Sequence, residues 1–186
     1  MKSFKLYFSF FLLLTFSSCK KDSSTQQNIA IPNGDFEFWD NMAQLLSWQT
    51  NSCPVCVPPY ETYIVKKVTD AHSGQFAAAF IYNNVYASTA NNKFAISAHP
   101  SLLTGYIKST IAGGDMATIH IDLLSAGTVV DSGNYAETSS TVNYKKVEIP
   151  ISQTSSAADS AVIKIVGGTK VGTELYIDDL SLIKTN

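Results

Sequence analysis

The side chains that could perform catalysis are few and scattered along this 186-residue chain. The three histidines, His72, His99 and His120, fall in separate segments and lack the i, i+4 spacing of helical zinc motifs. Nucleophile-elbow and phosphate-loop patterns are missing from the sequence. Asp178 and Asp179 are adjacent, and successive strand side chains point to opposite faces, so they are not expected to form a glycosidase pair. The sequence therefore argues against an enzyme. Carboxylates left for the minor alternative, a glycan hydrolase, are Asp122, Asp131, Glu137 and Glu148.

Two cysteines, Cys53 and Cys56, are separated by Pro54 and Val55. A redox site with this spacing normally adjoins a βαβ unit, but the segment that follows, Val-Pro-Pro, predicts an extended loop. A zinc site would need two further soft ligands, and the sequence has no second pair. In an oxidising compartment the simplest interpretation is a Cys53–Cys56 loop disulfide, with free thiols and metal or redox chemistry as alternatives.

A candidate binding face follows from the alternation of two predicted strands. The first has Tyr106 and Lys108 on one side, and the second alternates apolar Ile119, Ile121 and Leu123 with Thr118, His120 and Asp122. If the two strands are neighbours, four of these polar side chains share one solvent face, joined by Lys164. They are Tyr106, Lys108, His120 and Asp122. A ring for the C–H face of a sugar, flanked by polar groups for its hydroxyls, is what sugar binding requires. The alternative is an ordinary solvated sheet face.

Short β-rich runs separated by turn residues must position these side chains. The predicted strands are 61–68, 75–82, 101–111, 116–124, 127–131, 144–151, 161–166 and 174–183. Segments 86–92 and 152–160 are predicted as loops. Eight or nine short strands indicate an all-β sandwich or barrel. With 45% apolar and 15% charged residues and a formal net charge of -2, the composition excludes a disordered chain and predicts no nucleic-acid partner.

Four motifs resemble the galactose-binding-like jelly rolls, a carbohydrate-binding-module-like family. They read NGDFEFW at 33–39, HSGQFA at 72–77, PSLLTGY at 100–106 with a Gly-Asp turn after it, and LYIDDLSL at 175–182. The middle of the chain is similar to the carbohydrate metabolism domain of Bacteroidota surface lipoproteins. The resemblance implies a jelly-roll β-sandwich and, by analogy alone, a carbohydrate ligand.

The resemblance also implies one structural calcium ion between the first strand, the Ser-Gly loop and the last strand. By analogy the ligands are the Asp35 carbonyl, the Glu37 carboxylate, the loop from Asp70 to Ser73, mainly through carbonyls, and the Asp178 carboxylate. The alternative is that Glu37 and Asp178 are ordinary carboxylates at strand ends.

The first 18 residues predict a signal peptide. Lys2 and Lys5 precede an almost wholly apolar run at 6–16, which is shorter than the about 20 residues that span a bilayer. The run ends in Phe-Ser-Ser before Cys19, which resembles a bacterial lipobox with Cys19 as the lipidated residue. Ordinary secretion with cleavage after Ser18 is the alternative.

The chain after Cys19 predicts a flexible tether at 19–28 and a single β-sandwich domain at 29–186. Its start, Cys-Lys-Lys-Asp, resembles lipoproteins carried to the outer surface of the outer membrane in Bacteroidota. The sequence thus predicts an exported, surface-exposed lipoprotein that contacts the membrane through its lipid anchor only. Its predicted role is non-catalytic glycan binding; the alternative is a structural or adhesion subunit that contacts another envelope protein.

Overall fold

The computed structural model describes residues 26–53, 64–154 and 157–185 and is all-β, which confirms the predicted fold class. The strands are β1 (Gln26–Ile29), β2 (Gln49–Thr50), β3 (Val65–Val68), β4 (Ala77–Ile81), β5 (Thr89–Ala95), β6 (Leu102–Thr110), β7 (Ala117–Ser125), β8 (Thr128–Glu137), β9 (Thr141–Pro150), β10 (Ser160–Val166) and β11 (Glu174–Thr185). In these three ranges we find no helix long and apolar enough to span a bilayer.

The strands form two antiparallel sheets that pack face to face as a sandwich. The six-stranded sheet has the order β3-β4-β11-β6-β9, with β1 paired to the far half of β11. The five-stranded sheet has the order β2-β5-β10-β7-β8. Inward-facing apolar side chains of both sheets fill the space between them, among them Ile107, Ile121 and Ile177, which are fully buried.

Several predicted boundaries differ from those of the structure, among them the end of β8 at Glu137, and two of the differences change the organisation of the domain. The sequence predicts a loop at 86–92, yet β5 begins at Thr89. This strand pairs with β2 on one side and β10 on the other, and its side chains Ala90, Asn92 and Phe94 point into the core. Packing therefore overrides the weak strand propensity of this Ala- and Asn-rich segment. The predicted tether also ends early, since Gln26 pairs with Thr185 and starts the domain.

The predicted alternation of β6 and β7 is confirmed, but the assumption that these strands are neighbours is wrong. The turn between them crosses from the six-stranded to the five-stranded sheet. Gly114 has a φ of +70°, and the buried Asp115 carboxylate accepts hydrogen bonds from the Thr169 amide (2.9 Å) and the Thr173 hydroxyl (2.6 Å). Consecutive strands joined by this crossing turn lie on opposite layers, so their polar faces point in opposite directions.

The signal peptide, Cys19 and Cys56 lie outside the described residues, as does most of the predicted tether. Cys53 is disulfide-bonded. Its pairing with Cys56 stays a prediction.

Candidate functional site

Three tyrosines and a lysine cluster on the outer face of the six-stranded sheet. Tyr176 of β11 stands directly beside Lys108 of β6, and Tyr106 stands beside Asp178 one step further along the same strands. Lys108 Nζ lies 4.3 Å from the ring centroid of Tyr176 and 5.5 Å from that of Tyr144 on β9. The ammonium group therefore lies over the Tyr176 ring and close to the Tyr144 ring, a favourable cation–π arrangement.

A shallow cleft of about 290 Å³ opens beside Lys108 and Tyr176. Its lining residues are Lys108, Ser109, Thr110, Ser140, Thr141, Val142, Glu174 and Tyr176. Glu174 accepts a hydrogen bond from the Tyr176 hydroxyl (3.0 Å), and burial together with this bond raises the pKa of Tyr176. The Ser140 hydroxyl accepts from the Ile111 amide (2.8 Å) and can still donate. The cleft thus offers one aromatic ring surrounded by a cation, a carboxylate and hydroxyl groups.

A loop of six residues, 70–75, lies across the same face next to the cleft, and we name it the strap. The buried Asp178 carboxylate accepts from the strap amides of His72 (2.8 Å) and Ser73 (3.1 Å). Asp179 accepts from His72 Nδ1 (2.7 Å) and from the Ser73 hydroxyl (2.9 Å). The His72 ring stacks on Tyr106, with centroids 3.4 Å apart. These contacts fix the strap to β11 and β6.

The start of the strap is also held to the sheet. The Asp70 carboxylate forms an ion pair with Lys108, and its carbonyl accepts from the Tyr144 hydroxyl (2.7 Å). Burial raises the pKa of Tyr144, and the negative charges of Asp178 and Asp70 raise it further. Tyr144 therefore stays a neutral hydrogen-bond donor.

Asp178 and Asp179 were expected to point to opposite faces, and this expectation is wrong. A bulge interrupts the pairing of β11 between Asp178 and Ser181, and Asp179 has a φ of +51°. Because a bulge breaks strand alternation, both carboxylates face the strap. Burial raises the pKa of Asp178, and the neighbouring Asp179 charge adds to this, while the strap amides act in the opposite direction.

The predicted calcium ligands Glu37 and Asp178 contact residues in or next to the strap, but these contacts do not form a calcium donor set. Asp178 accepts three amide hydrogen bonds, the third from Asp179 (2.8 Å). Glu37 Oε1 accepts from the amides of Gln75 (2.7 Å) and Phe76 (3.0 Å). The loop thus presents N–H groups where calcium needs oxygen atoms. No cluster of three acidic, histidine or cysteine ligands occurs within the described ranges.

The remaining predicted ligands have other positions or partners. Asp35 is exposed, and the Asp70 carbonyl is used by Tyr144. Gly74, with a φ of +66°, leaves room for Glu37, because a Cβ there would overlap the Glu37 carboxylate. Calcium binding stays a prediction of the sequence.

His120 and Asp122 lie on the outer face of the five-stranded sheet, away from Tyr106 and Lys108. The predicted shared face is therefore wrong, although Lys164 does stand beside His120. His120 Nε2 and Asp122 Oδ1 are 2.9 Å apart. A depression of about 370 Å³ on this face is lined by Ser47, Gln49, Asn91, Lys93 and Val162, which include no aromatic ring.

Two carboxylates considered for hydrolysis are buried and serve structural contacts. Burial alone would raise the pKa of Glu137, but hydrogen bonds from Lys145 and Ser139 lower it to about 2. The buried Asp131 accepts from the amide (2.8 Å) and hydroxyl (2.6 Å) of Thr154. Both groups hold loops in place.

Sequence reasoning missed Tyr144, Tyr176 and Glu174. Tyr176 and Glu174 share one parity on the last strand, opposite the apolar Leu175 and Ile177, so the alternation could have placed both side chains on the outer face. Tyr144 likewise shares its parity with the exposed Lys146 and Glu148, opposite the buried Val147 and Ile149. The register shift between Ile107 and Ser109 meant that the sequence did not indicate which β6 residue Tyr144 faces.

No family model and no curated protein sequence matches this chain. Solved structures do resemble it. TmCBM61 in complex with β-1,4-galactotriose superposes with a TM-score of 0.54 at 15% identity, over 83% of this chain and 96% of that one. A cyclase from Fischerella sp. TAU gives a TM-score of 0.57 at 13% identity, over 86% and 97%.

A candidate glycoside hydrolase from Bacteroides thetaiotaomicron gives a TM-score of 0.53 at 13% identity. The alignment covers 67% of this chain and little more than half, 57%, of that one. At these identities the likeness establishes the fold, and proteins of different activity share it. The chain has a jelly-roll β-sandwich fold, which it shares with TmCBM61 and with proteins of other activities.

Proposed function

We propose that this protein binds glycans in the cleft beside Lys108 and Tyr176. The observation that carries the proposal is the Tyr176 ring bordered by Lys108 and Glu174, with the hydroxyls of Ser140 and Thr141 nearby. A sugar can place its C–H face on such a ring and direct its hydroxyls to the surrounding polar groups. The jelly-roll likeness supports the proposal, since TmCBM61 carries a bound β-1,4-galactotriose.

The proposed role is binding without catalysis. Glycoside hydrolysis ordinarily uses two carboxyl groups placed on either side of the scissile bond. Among the described lining residues of the cleft, Glu174 is the one carboxylate. A hydrolase remains the minor alternative, and turnover of a bound oligosaccharide that Glu174→Gln abolishes would establish it.

The proposed location is the outer membrane of a bacterial cell envelope, on its outer face, with Cys19 as the lipid attachment site. The support is the sequence before and after Cys19 alone. Several acyl chains, each contributing about 0.8 kcal/mol per buried methylene, would anchor the protein stably. We expect the wild-type protein to fractionate with membranes and Cys19→Ala to be soluble or uncleaved. Identical fractionation of the two would contradict lipidation, and protease treatment of intact cells tests surface exposure.

A protein partner in the envelope is the second candidate function. One observation favours it: the loop between β1 and β2 presents Phe38, Met42 and Leu46 to solvent, with Phe38 62% exposed. Asn33 holds this loop in shape by donating to the carbonyls of Phe38 (2.9 Å) and Leu46 (2.8 Å). Clustered exposed apolar side chains on a rigid loop are typical of interaction sites.

A glycan array with the purified protein tests the first function against the second. Glycan binding requires signals that Tyr176→Ala removes and Phe38→Ser leaves intact. Absence of glycan signals, with a cross-linked envelope protein lost in Phe38→Ser, would favour the second function.

A further inference from the structure

The outer face of the six-stranded sheet is open at one end and covered at the other. Glu174, Tyr176 and Asp178 alternate with core residues along β11 and so point to the same side. Glu174 and Tyr176 are half-buried and line the cleft, whereas Asp178 has an exposed fraction of 0%. The strap accounts for this difference, because its amides lie directly on the Asp178 carboxylate.

The part of the face that the strap covers ends at Lys108. The strap begins at Asp70, whose carboxylate pairs with Lys108 and whose carbonyl binds the Tyr144 hydroxyl. Beyond this point His72 occupies the ring face of Tyr106 that a sugar would need. A glycan chain that lies along the strands over Tyr176 would therefore be blocked by the strap just beyond Lys108.

The opposite end of the cleft faces solvent. Thr110 is exposed, and Val142 has an exposed fraction of 91%. The volume of about 290 Å³ lies at the lower limit of the about 300–1,000 Å³ usual for small-molecule sites. The cleft is thus short and closed on one side.

We infer that the cleft recognises the end of a glycan chain, one or two sugar residues, and not an internal stretch; the inference rests on the proposed function. The terminal residue packs on the face of the Tyr176 ring that Lys108 leaves free. The strap, tied to Lys108 through Asp70, stands where a further sugar residue and its glycosidic bond would have to lie. Glu174 and the hydroxyls of Ser140 and Thr141 contact the remaining edge. The rest of the chain leaves past Thr110 into solvent.

The test uses β-1,4-galactan, β-1,4-glucan and α-1,5-arabinan oligosaccharides of two to six residues, titrated calorimetrically into the full chain. We expect the Kd of the bound series to change less than twofold from three to six residues. Limited endo-cleavage of the matching polysaccharide should raise binding capacity in proportion to the new chain ends. His120→Ala, on the other face, is the matched control and should reproduce both results.

Saturation-transfer NMR on the bound hexasaccharide supplies a second readout that needs no variant. The terminal residue should receive the strongest saturation. A Kd that falls with each added residue, or even saturation along the hexasaccharide, would overturn chain-end recognition while leaving glycan binding established. Absence of binding to every glycan, here and on the array, would overturn both the inference and the proposed function.

Discussion

The two outer faces of the sandwich are built from similar polar residues but are organised differently. On the five-stranded sheet, His120 pairs with Asp122 of its own strand, and the face is open and without an aromatic ring in its depression. On the six-stranded sheet, His72 belongs to a separate strap and pairs with Asp179, 107 residues away. Long-range contacts fix side chains in place, and a preorganised group loses less entropy on binding. This difference distinguishes the six-stranded face, to which we assign binding because of the Tyr176 ring in its cleft.

The comparison is tested most strongly by Tyr176→Ala set against His120→Ala. Removing the ring at the centre of a binding site should cost about 2 kcal/mol, or roughly 30-fold in Kd. His120→Ala should change Kd less than twofold. Calorimetric titration with the best array glycan measures both. Equal losses in the two variants would mean that the faces do not differ as we describe.

The strap provides the next largest effect, on stability. His72→Ala removes the stack on Tyr106 and the bond to Asp179, both partly exposed to solvent, so we expect a loss of about 1–2 kcal/mol. For a chain of this size, 1 kcal/mol corresponds to roughly 2–4 °C in the melting midpoint.

His120→Ala is again the matched control, because its exposed pair with Asp122 should contribute about 0–0.5 kcal/mol. Thermal unfolding followed by circular dichroism measures both variants. If the two variants lose equal stability, the contacts of His72 do not hold the strap as the structure shows.

Much of this comparison was available from the sequence, and its failures have physical causes. Alternation correctly placed Tyr106 and Lys108 outward, because shifting the inward-facing positions of the strand by one residue would bury Lys108. Alternation separates inside from outside but does not say which sheet a strand joins. The crossing turn at Gly114 decides that, and the sequence predicted only that a turn occurs there.

The strap was beyond sequence reasoning for a second reason. Its contacts with β11 join residues 105 to 107 positions apart, and those with Asp179 depend on the bulge that turns Asp179 toward His72. The motif HSGQFA was recognised, yet the resemblance implied backbone carbonyls toward a cation. The structure presents amides toward the Asp178 carboxylate.

A smaller effect is expected from the charge of Glu174. Glu174→Gln keeps the size and a hydrogen-bonding oxygen but removes a charged acceptor, which should weaken glycan binding by about 1 kcal/mol, roughly fivefold. Asp122→Asn makes the same change on the other face and should leave Kd unchanged. Titration at two salt concentrations checks the result. Tighter glycan binding by Glu174→Gln would show that the negative charge of Glu174 weakens binding.

The smallest expected effect concerns calcium, and it tests what holds the strap. Calcium requires about six to eight oxygen ligands, whereas Asp178 and Glu37 already accept amide hydrogen bonds from residues 72–76. We expect melting midpoints with chelator and with millimolar calcium to agree within about 1 °C. If the sequence-based prediction is right instead, calcium at one hundred times Kd adds about 2.7 kcal/mol, or roughly 5–10 °C. Asp178→Asn would then abolish the rise, and the strap would be held by an ion and not by its own amides.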